Sequence, residues 1–159
     1  MERQERVQVG ILIGSPSDRE LAEKALATLR ELGIAGEIKV LSAHRTPERV
    51  IAYVQTAEAR GISVLLACAG LAAHLAGVVA AHTLLPVIGV PVAGGTLGGL
   101  DALLSTVQMP PGIPVATVAI DGARNAAILA ARILALGDPA VRDALAAMRE
   151  RERQRYDTV

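Results

Sequence analysis

His44 stands beside Arg45 in the polar run Ser42-Ala43-His44-Arg45-Thr46-Pro47, which lies between two apolar stretches. A free imidazole titrates at about pH 6.5 and so exchanges protons near neutrality with little tuning. The neighbouring guanidinium offers a fork that fits a phosphate. A second polar run, Gly14-Ser15-Pro16-Ser17-Asp18, also precedes a helical pattern. Free N–H groups and the helix dipole at such a start favour an anion, with Ser15 and Ser17 beside it, and Asp18 is an acceptor suited to sugar hydroxyls. Plain helix capping accounts for the same three residues. His74 follows Ala69-Gly70-Leu71-Ala72-Ala73 and reads either as a hydrogen-bonded interior histidine or as a direct participant. His82, near a helix end before Pro86, reads as structural. Cys68 ends an apolar run and reads as a small core residue rather than an activated nucleophile.

These segments share a location only if the elements before them are parallel strands. Val7–Ile13 is an apolar, β-branched run of strand length. Ser17 and Glu20 have capping-box spacing, which predicts a helix carrying Leu21, Ala25, Leu29 and Leu32 and ending at Gly33. Glu37–Leu41 reads as a second strand. Thr46 and Pro47 open a helix with Val50, Tyr53, Val54 and Ala57 inward, closed by Gly61. Ile62–Ala67 is a third strand, followed by a charge-free helix over Leu71–Ala81. Pro86–Val90 is a fourth strand, Gly98–Val107 a short helix, and Met109–Gly112 a turn. Val115–Ile120 is a fifth strand and Gly122–Leu136 an Ala-rich helix. Asp138 and Pro139 start a last helix with Val141, Leu145 and Met148 on one face.

Strand and helix alternate five times with near-continuous apolar strands, the pattern of an α/β fold whose parallel sheet is covered on both faces. The reading is one α/β domain over residues 1–159. Its terminal segment, 138–159, packs either on its own sheet or on a neighbouring subunit; the sequence leaves both open. Ligands of open parallel sheets bind beyond the carboxyl ends of the strands. The two polar runs, Gly70 to His74, and the glycine-rich Pro91–Gly98 all follow strands and therefore meet on one edge.

Composition narrows the function. Acidic and basic residues balance at 16 each, and the chain has no Phe, no Trp and two Tyr. Without a basic stripe or stacking rings, nucleic acid is not an expected partner. One cysteine excludes an internal disulfide framework, and the charged N-terminus lacks the apolar core of a secretory signal, so the cytoplasm is the expected location. From Gly61 to Ile120 the only formal charge is Asp101. Glycines, prolines and two histidines interrupt this run too often for a membrane span. Burial in the core and between subunits explains it better, which predicts a homo-oligomer. There is no P-loop or strand-linked GxGxxG, and the histidines and cysteine lack metal-ligand spacing. A cofactor-free, metal-free mechanism follows.

GSPSD at Gly14–Asp18 and SAHRTP at Ser42–Pro47 closely resemble the N5-carboxyaminoimidazole ribonucleotide mutase family (PurE), the catalytic subunit of phosphoribosylaminoimidazole carboxylase. AGLAAHLAG at Ala69–Gly77, LPVIGVPV at Leu85–Val92 and the stretch from Gly99 to Ile120 extend the likeness, as does NAAILAARIL at Asn125–Leu134. The resemblance implies a flavodoxin-like three-layer αβα sandwich, assembled as an octamer, and an activity in purine biosynthesis without cofactor. N5-carboxyaminoimidazole ribonucleotide would become 4-carboxy-5-aminoimidazole ribonucleotide by loss and recapture of CO2. It implies His44 as general acid/base and Ser15, Asp18 and Arg45 as substrate-binding residues. Ser17 and Ser42 would lie around the phosphate, and Gly70 and His74 would wall the CO2 pocket. Two departures stand out: Leu71 and Ala76 replace a customary glycine and proline, and the Ala93–Gly99 loop differs. A related branch carboxylates aminoimidazole ribonucleotide directly; SAHRTP with AAHL favours the mutase. A nucleotide-sensing or scaffold protein on the same fold is the alternative from another class.

Overall fold

The computed structural model describes residues 7–157. The charged N-terminal segment through Arg6 and the last two residues of the expected terminal helix lie outside that range. The chain runs β1 (Val9–Ile13), a 3-10 turn (Pro16–Asp18), α1 (Arg19–Glu31), β2 (Gly36–Val40), α2 (Pro47–Ala57), β3 (Val64–Gly70) and α3 (Leu75–Ala80). It continues through β4 (Val87–Val92), α4 (Leu100–Val107), β5 (Ala116–Thr117), α5 (Ala123–Leu134) and α6 (Pro139–Asp157). All strands pair in parallel in the order β2-β1-β3-β4-β5, the flavodoxin-like arrangement.

The period-two alternation of a strand sorts the core into two layers. Val9, Ile11 and Ile13 of β1, Val64, Leu66 and Cys68 of β3, and Ile88 and Val90 of β4 face α1, α5 and the start of α6. Leu12, Leu65, Ala67 and Val87 point the other way, onto α2 and α3. The central strands are therefore buried on both faces, as continuous apolar runs require. Helix α6 docks on its own chain through Val141 and Met148, with ion pairs Arg124–Glu152 at 3.2 Å and Arg151–Glu31 at 3.0 Å. Among the described residues, no helix is long and apolar enough to cross a membrane.

Three elements differ from the sequence expectation. The fifth strand spans two residues rather than Val115–Ile120. In a parallel ladder a residue's N–H and C=O point to the same side, and the Pro91 carbonyl accepts from the Asp121 N–H (2.8 Å) on the β5 side. Proline has no N–H to offer there, so regular pairing stops. The charge-free helix begins at Leu75 rather than Leu71, because Leu71 adopts φ +55°, outside the helical region. The Ser17–Glu20 capping box does not form. Instead Ser15 caps the 3-10 turn, its hydroxyl accepting from Ser17 N–H (3.3 Å), and α1 starts at Arg19 after Asp18 without a side-chain cap. Pro16, which needs no N–H partner in a first turn, pulls the start of helical winding forward.

An ionic cluster fastens the edge strand β2 to α2. Tyr53 Oη donates to Glu37 Oε1 at 2.8 Å, Arg60 reaches the same oxygen at 2.7 Å, and Lys39 lies 3.1 Å from Oε2. The phenol can lie across the sheet because Gly10 beneath it has no side chain: a Cβ there would sit 2.5 Å from Tyr53 Oη. Burial pushes the Glu37 carboxyl up, but the hydrogen bonds from Arg60, Tyr53 and Lys39 outweigh it and hold its pKa below the ordinary value. The stability this contributes is present above the ordinary carboxylate range and is lost as pH falls through it.

Candidate active site

The four loops at the carboxyl ends of β1 to β4 enclose a cavity of about 490 Å³, a size that suits a small-molecule ligand. Ser15, Ser17 and Asp18 line it from the β1 loop, and Ser42, His44 and Arg45 from the β2 loop. Gly70 and His74 come from the end of β3 and the turn after it. The structure thus brings together the eight residues expected at the site, and leaves His82 and Cys68, read as structural, out of it. A larger hollow, about 860 Å³, lies at the opposite edge, where Pro86 and Pro114 precede their strands. Of the three histidines it holds only His82, whose Nδ1 bonds to the Val78 carbonyl at 2.8 Å. That hollow has none of the converging donors of the first, so the smaller one is the candidate site.

The loop after β2 shapes itself. Ser42 N–H donates to Thr46 Oγ1 at 3.1 Å, Thr46 N–H donates to the Ser42 carbonyl at 2.9 Å, and Arg45 N–H donates to Ser42 Oγ at 3.2 Å. The middle of that turn carries His44 to the rim, where its Nε2 lies 2.8 Å from His74 Nδ1. The rings meet edge to face, 4.9 Å between centroids and 88° between planes. One nitrogen of such a contact donates and the other accepts, so it holds one proton; a second would set N–H against N–H. His74 is therefore not an interior histidine: it is exposed at the rim and hydrogen-bonded to His44.

In the β1 loop, Ser17 Oγ lies 2.8 Å from Ser15 Oγ and 3.2 Å from Asp18 Oδ1. Burial pushes the Asp18 carboxyl up, against the lowering effect of hydrogen bonds from Ser17 and Ser15. The stability its protonation contributes is complete below the ordinary carboxylate range and is lost as pH rises through the shifted value. Loss of hydration outweighs the serine hydrogen bonds, so an ionised Asp18 gains from further donors such as a ligand's hydroxyls. Cys68, on β3 beneath, is fully buried; burial, with the Asp18 charge added, pushes its thiol up to about 12. It carries no thiolate at neutral pH and is a core residue.

Two residues that position this rim, Ser105 and Asp121, were missed from the sequence, whereas Leu71 stands out there as a departure. Ser105 of α4 accepts from Ala73 N–H at 3.0 Å and donates to the Asp101 carbonyl at 2.7 Å, tying the β3 loop to α4. Adjacent hydroxyls, Ser105 and Thr106, inside an otherwise largely apolar helix were the available signal. Asp121, at φ +57°, accepts from Ala93 N–H through Oδ1 at 2.9 Å and secures the β4 loop. Leu71 also lines the cavity, from a left-handed backbone that costs a side-chain-bearing residue roughly 1–2 kcal/mol. The glycine customary at this position was the available signal for that conformation.

Residues 8–155, nearly the whole chain, match the family described as AIR carboxylase. This chain belongs to that family. Within it, the chain is 56% identical to an N5-carboxyaminoimidazole ribonucleotide mutase of Pyrococcus abyssi over 143 residues, covering 90% of this chain and 82% of the relative. It is 53% identical to the mutase of the same name from Mycobacterium tuberculosis over 147 residues, covering 92% and 84%. Among solved structures, a crystal structure of Treponema denticola PurE superposes with a TM-score of 0.88 at 34% identity, covering 95% of this chain and 94% of that one. AIR carboxylase family membership and the flavodoxin-like fold therefore stand together.

Proposed function

We propose that this chain is an N5-carboxyaminoimidazole ribonucleotide mutase, an isomerase of purine biosynthesis, with His44 as its acid–base group. The observation that carries the reading is the cavity in which His44, paired with His74, faces the serine–aspartate turn of Ser15, Ser17 and Asp18. The relatives at 53% and 56% identity bear the mutase name although the family description names a carboxylase, which favours the mutase over direct carboxylation.

The residues divide the work by charge and reach. Arg45 and the hydroxyls of Ser15, Ser17 and Ser42 hold the phosphate, and Asp18 accepts from the ribose hydroxyls. His44 gives a proton to the N5 nitrogen as the N–C bond to the carboxyl group breaks, leaving CO2 and aminoimidazole ribonucleotide. Ring carbon 4 then attacks CO2 to form the new C–C bond, and the proton lost from that carbon restores His44. No electrons change hands, and the proton given equals the proton taken, so the cycle needs neither metal nor cofactor. His74 holds the His44 ring at the rim, and Gly70, with no side chain, leaves space in the adjoining wall for CO2.

The assembly belongs to the same proposal: a cytoplasmic homo-octamer with no nucleic-acid or membrane partner. Leu100, Leu104 and Val107 lie exposed at helical spacing on α4, near exposed Leu97, and a second copy of the chain is the occupant that such a stripe fits. The outer half of α6, also exposed, is available to a neighbouring subunit. A solution mass of eight chains is expected from light scattering; a monomer at micromolar concentration would rule the assembly out. For the activity, purified protein is assayed with each substrate. Rapid conversion of the carbamate without nucleotide or metal is expected. Turnover of aminoimidazole ribonucleotide with CO2, and none of the carbamate, would make it the direct carboxylase. No turnover of either would favour a binding protein.

A further inference from the structure

Leu71 is held in a conformation that the fold could have avoided with a glycine. Its φ of +55° lies in the left-handed region, yet its side chain is 55% exposed and takes no part in either core layer. A bulky apolar side chain in that state needs a reason other than packing of the core. The side chain does have a seat. A Cβ on Gly95, in the loop after β4, would fall 2.5 Å from Leu71 Cδ2, and Gly95 itself has φ +61°. The bare backbone of one loop therefore receives the methyl group of the other, across the mouth of the cavity that both line together with His44 and His74. The strained backbone is braced by the adjoining turn, where Ala73 N–H is held by Ser105 Oγ at 3.0 Å.

We propose that Leu71 caps the site: its isobutyl group, seated on Gly95, closes the cavity against water and keeps released CO2 beside the ring that must recapture it. This rests on the mutase reading above. An apolar cap suits the task because CO2 is apolar and offers no charge to hold, so its retention depends on blocked exits rather than on affinity. Leu71 makes and breaks no bond; its effect falls on the partition of the intermediate between recapture and escape.

The test uses the full chain and substrate labelled with 13C in the N5-carboxyl group, in buffer with unlabelled bicarbonate. Wild type is expected to retain most of the label in the 4-carboxy product. Leu71→Gly relieves the backbone and removes the cap. Leu71→Asn keeps a side chain that tolerates positive φ but presents a polar end. Both are expected to lose label several-fold and to accumulate free aminoimidazole ribonucleotide, with Leu71→Gly melting no lower than wild type. Label retention equal to wild type in both variants would overturn the proposal. If wild type turns over the carbamate but already exchanges its label freely, the role of Leu71 fails and the mutase reading stands. If wild type does not act on the carbamate, the mutase reading fails and takes this role with it.

Discussion

His44→Asn is expected to lower turnover by roughly 10²–10⁴-fold, the usual worth of a positioned acid–base group, while nucleotide binding and assembly persist. Asparagine keeps a planar polar group of similar reach but carries no exchangeable proton charge near neutrality. The substitution should leave its loop intact, because the bonds that fold the loop run among Ser42, Arg45 and Thr46 and none uses the imidazole. What is lost is the ring at 2.8 Å from His74. The measurement pairs steady-state turnover with calorimetric binding of the product nucleotide. Turnover within a few-fold of wild type would take the imidazole out of the mechanism. Equal loss of binding and turnover would make it a ligand-holding residue instead.

Leu66→Ala is expected to destabilise the protein by about 2–5 kcal/mol, a large part of the roughly 5–15 kcal/mol that holds a domain folded. Leu66 lies on β3, the middle strand of the sheet, with 0% exposure, between neighbouring strands and under the helices of one core layer. Strands fixed by hydrogen bonds on both sides cannot collapse into the hole, so the loss includes a cavity as well as transfer of the missing methyl groups. Denaturant unfolding at one fixed protein concentration reads the shift in midpoint with the slope unchanged. A loss under about 1 kcal/mol, the size of an ordinary surface change, would mean that this strand is not the rigid centre described.

Much of this architecture was readable in advance, for identifiable reasons. Val64 to Cys68 is a run without a polar residue, which a sheet buried on both faces requires, and its residues do divide between the two core layers. Gly33 and Gly61, both at positive φ, end the segments that their helix patterns said they would. The site was legible for a topological reason: polar runs that follow parallel strands share an edge wherever the strands lie in the sheet. What escaped was set by single atoms acting across the chain. The missing N–H of Pro91 shortened β5, though Val115–Ile120 has ample strand character of its own. A left-handed Leu71 delayed α3, though Leu71–Ala81 is apolar throughout except for His74. Ser105 and Asp121 act on residues 32 and 28 positions away, and no local pattern reports such reach.

The bonds that fold the loop after β2 close within five residues, from Ser42 to Thr46, whereas the loops after β3 and β4 lean on each other through Leu71 and Gly95 and on distant anchors. On the proposed mechanism, reactivity and adaptability are thereby assigned to different stretches of chain. Opposite walls can be remodelled as a matched pair, to admit another ring substituent or alter leakage, without disturbing the segment that presents the imidazole. Such modularity lets one scaffold be tuned at its margins while its chemistry stays in register.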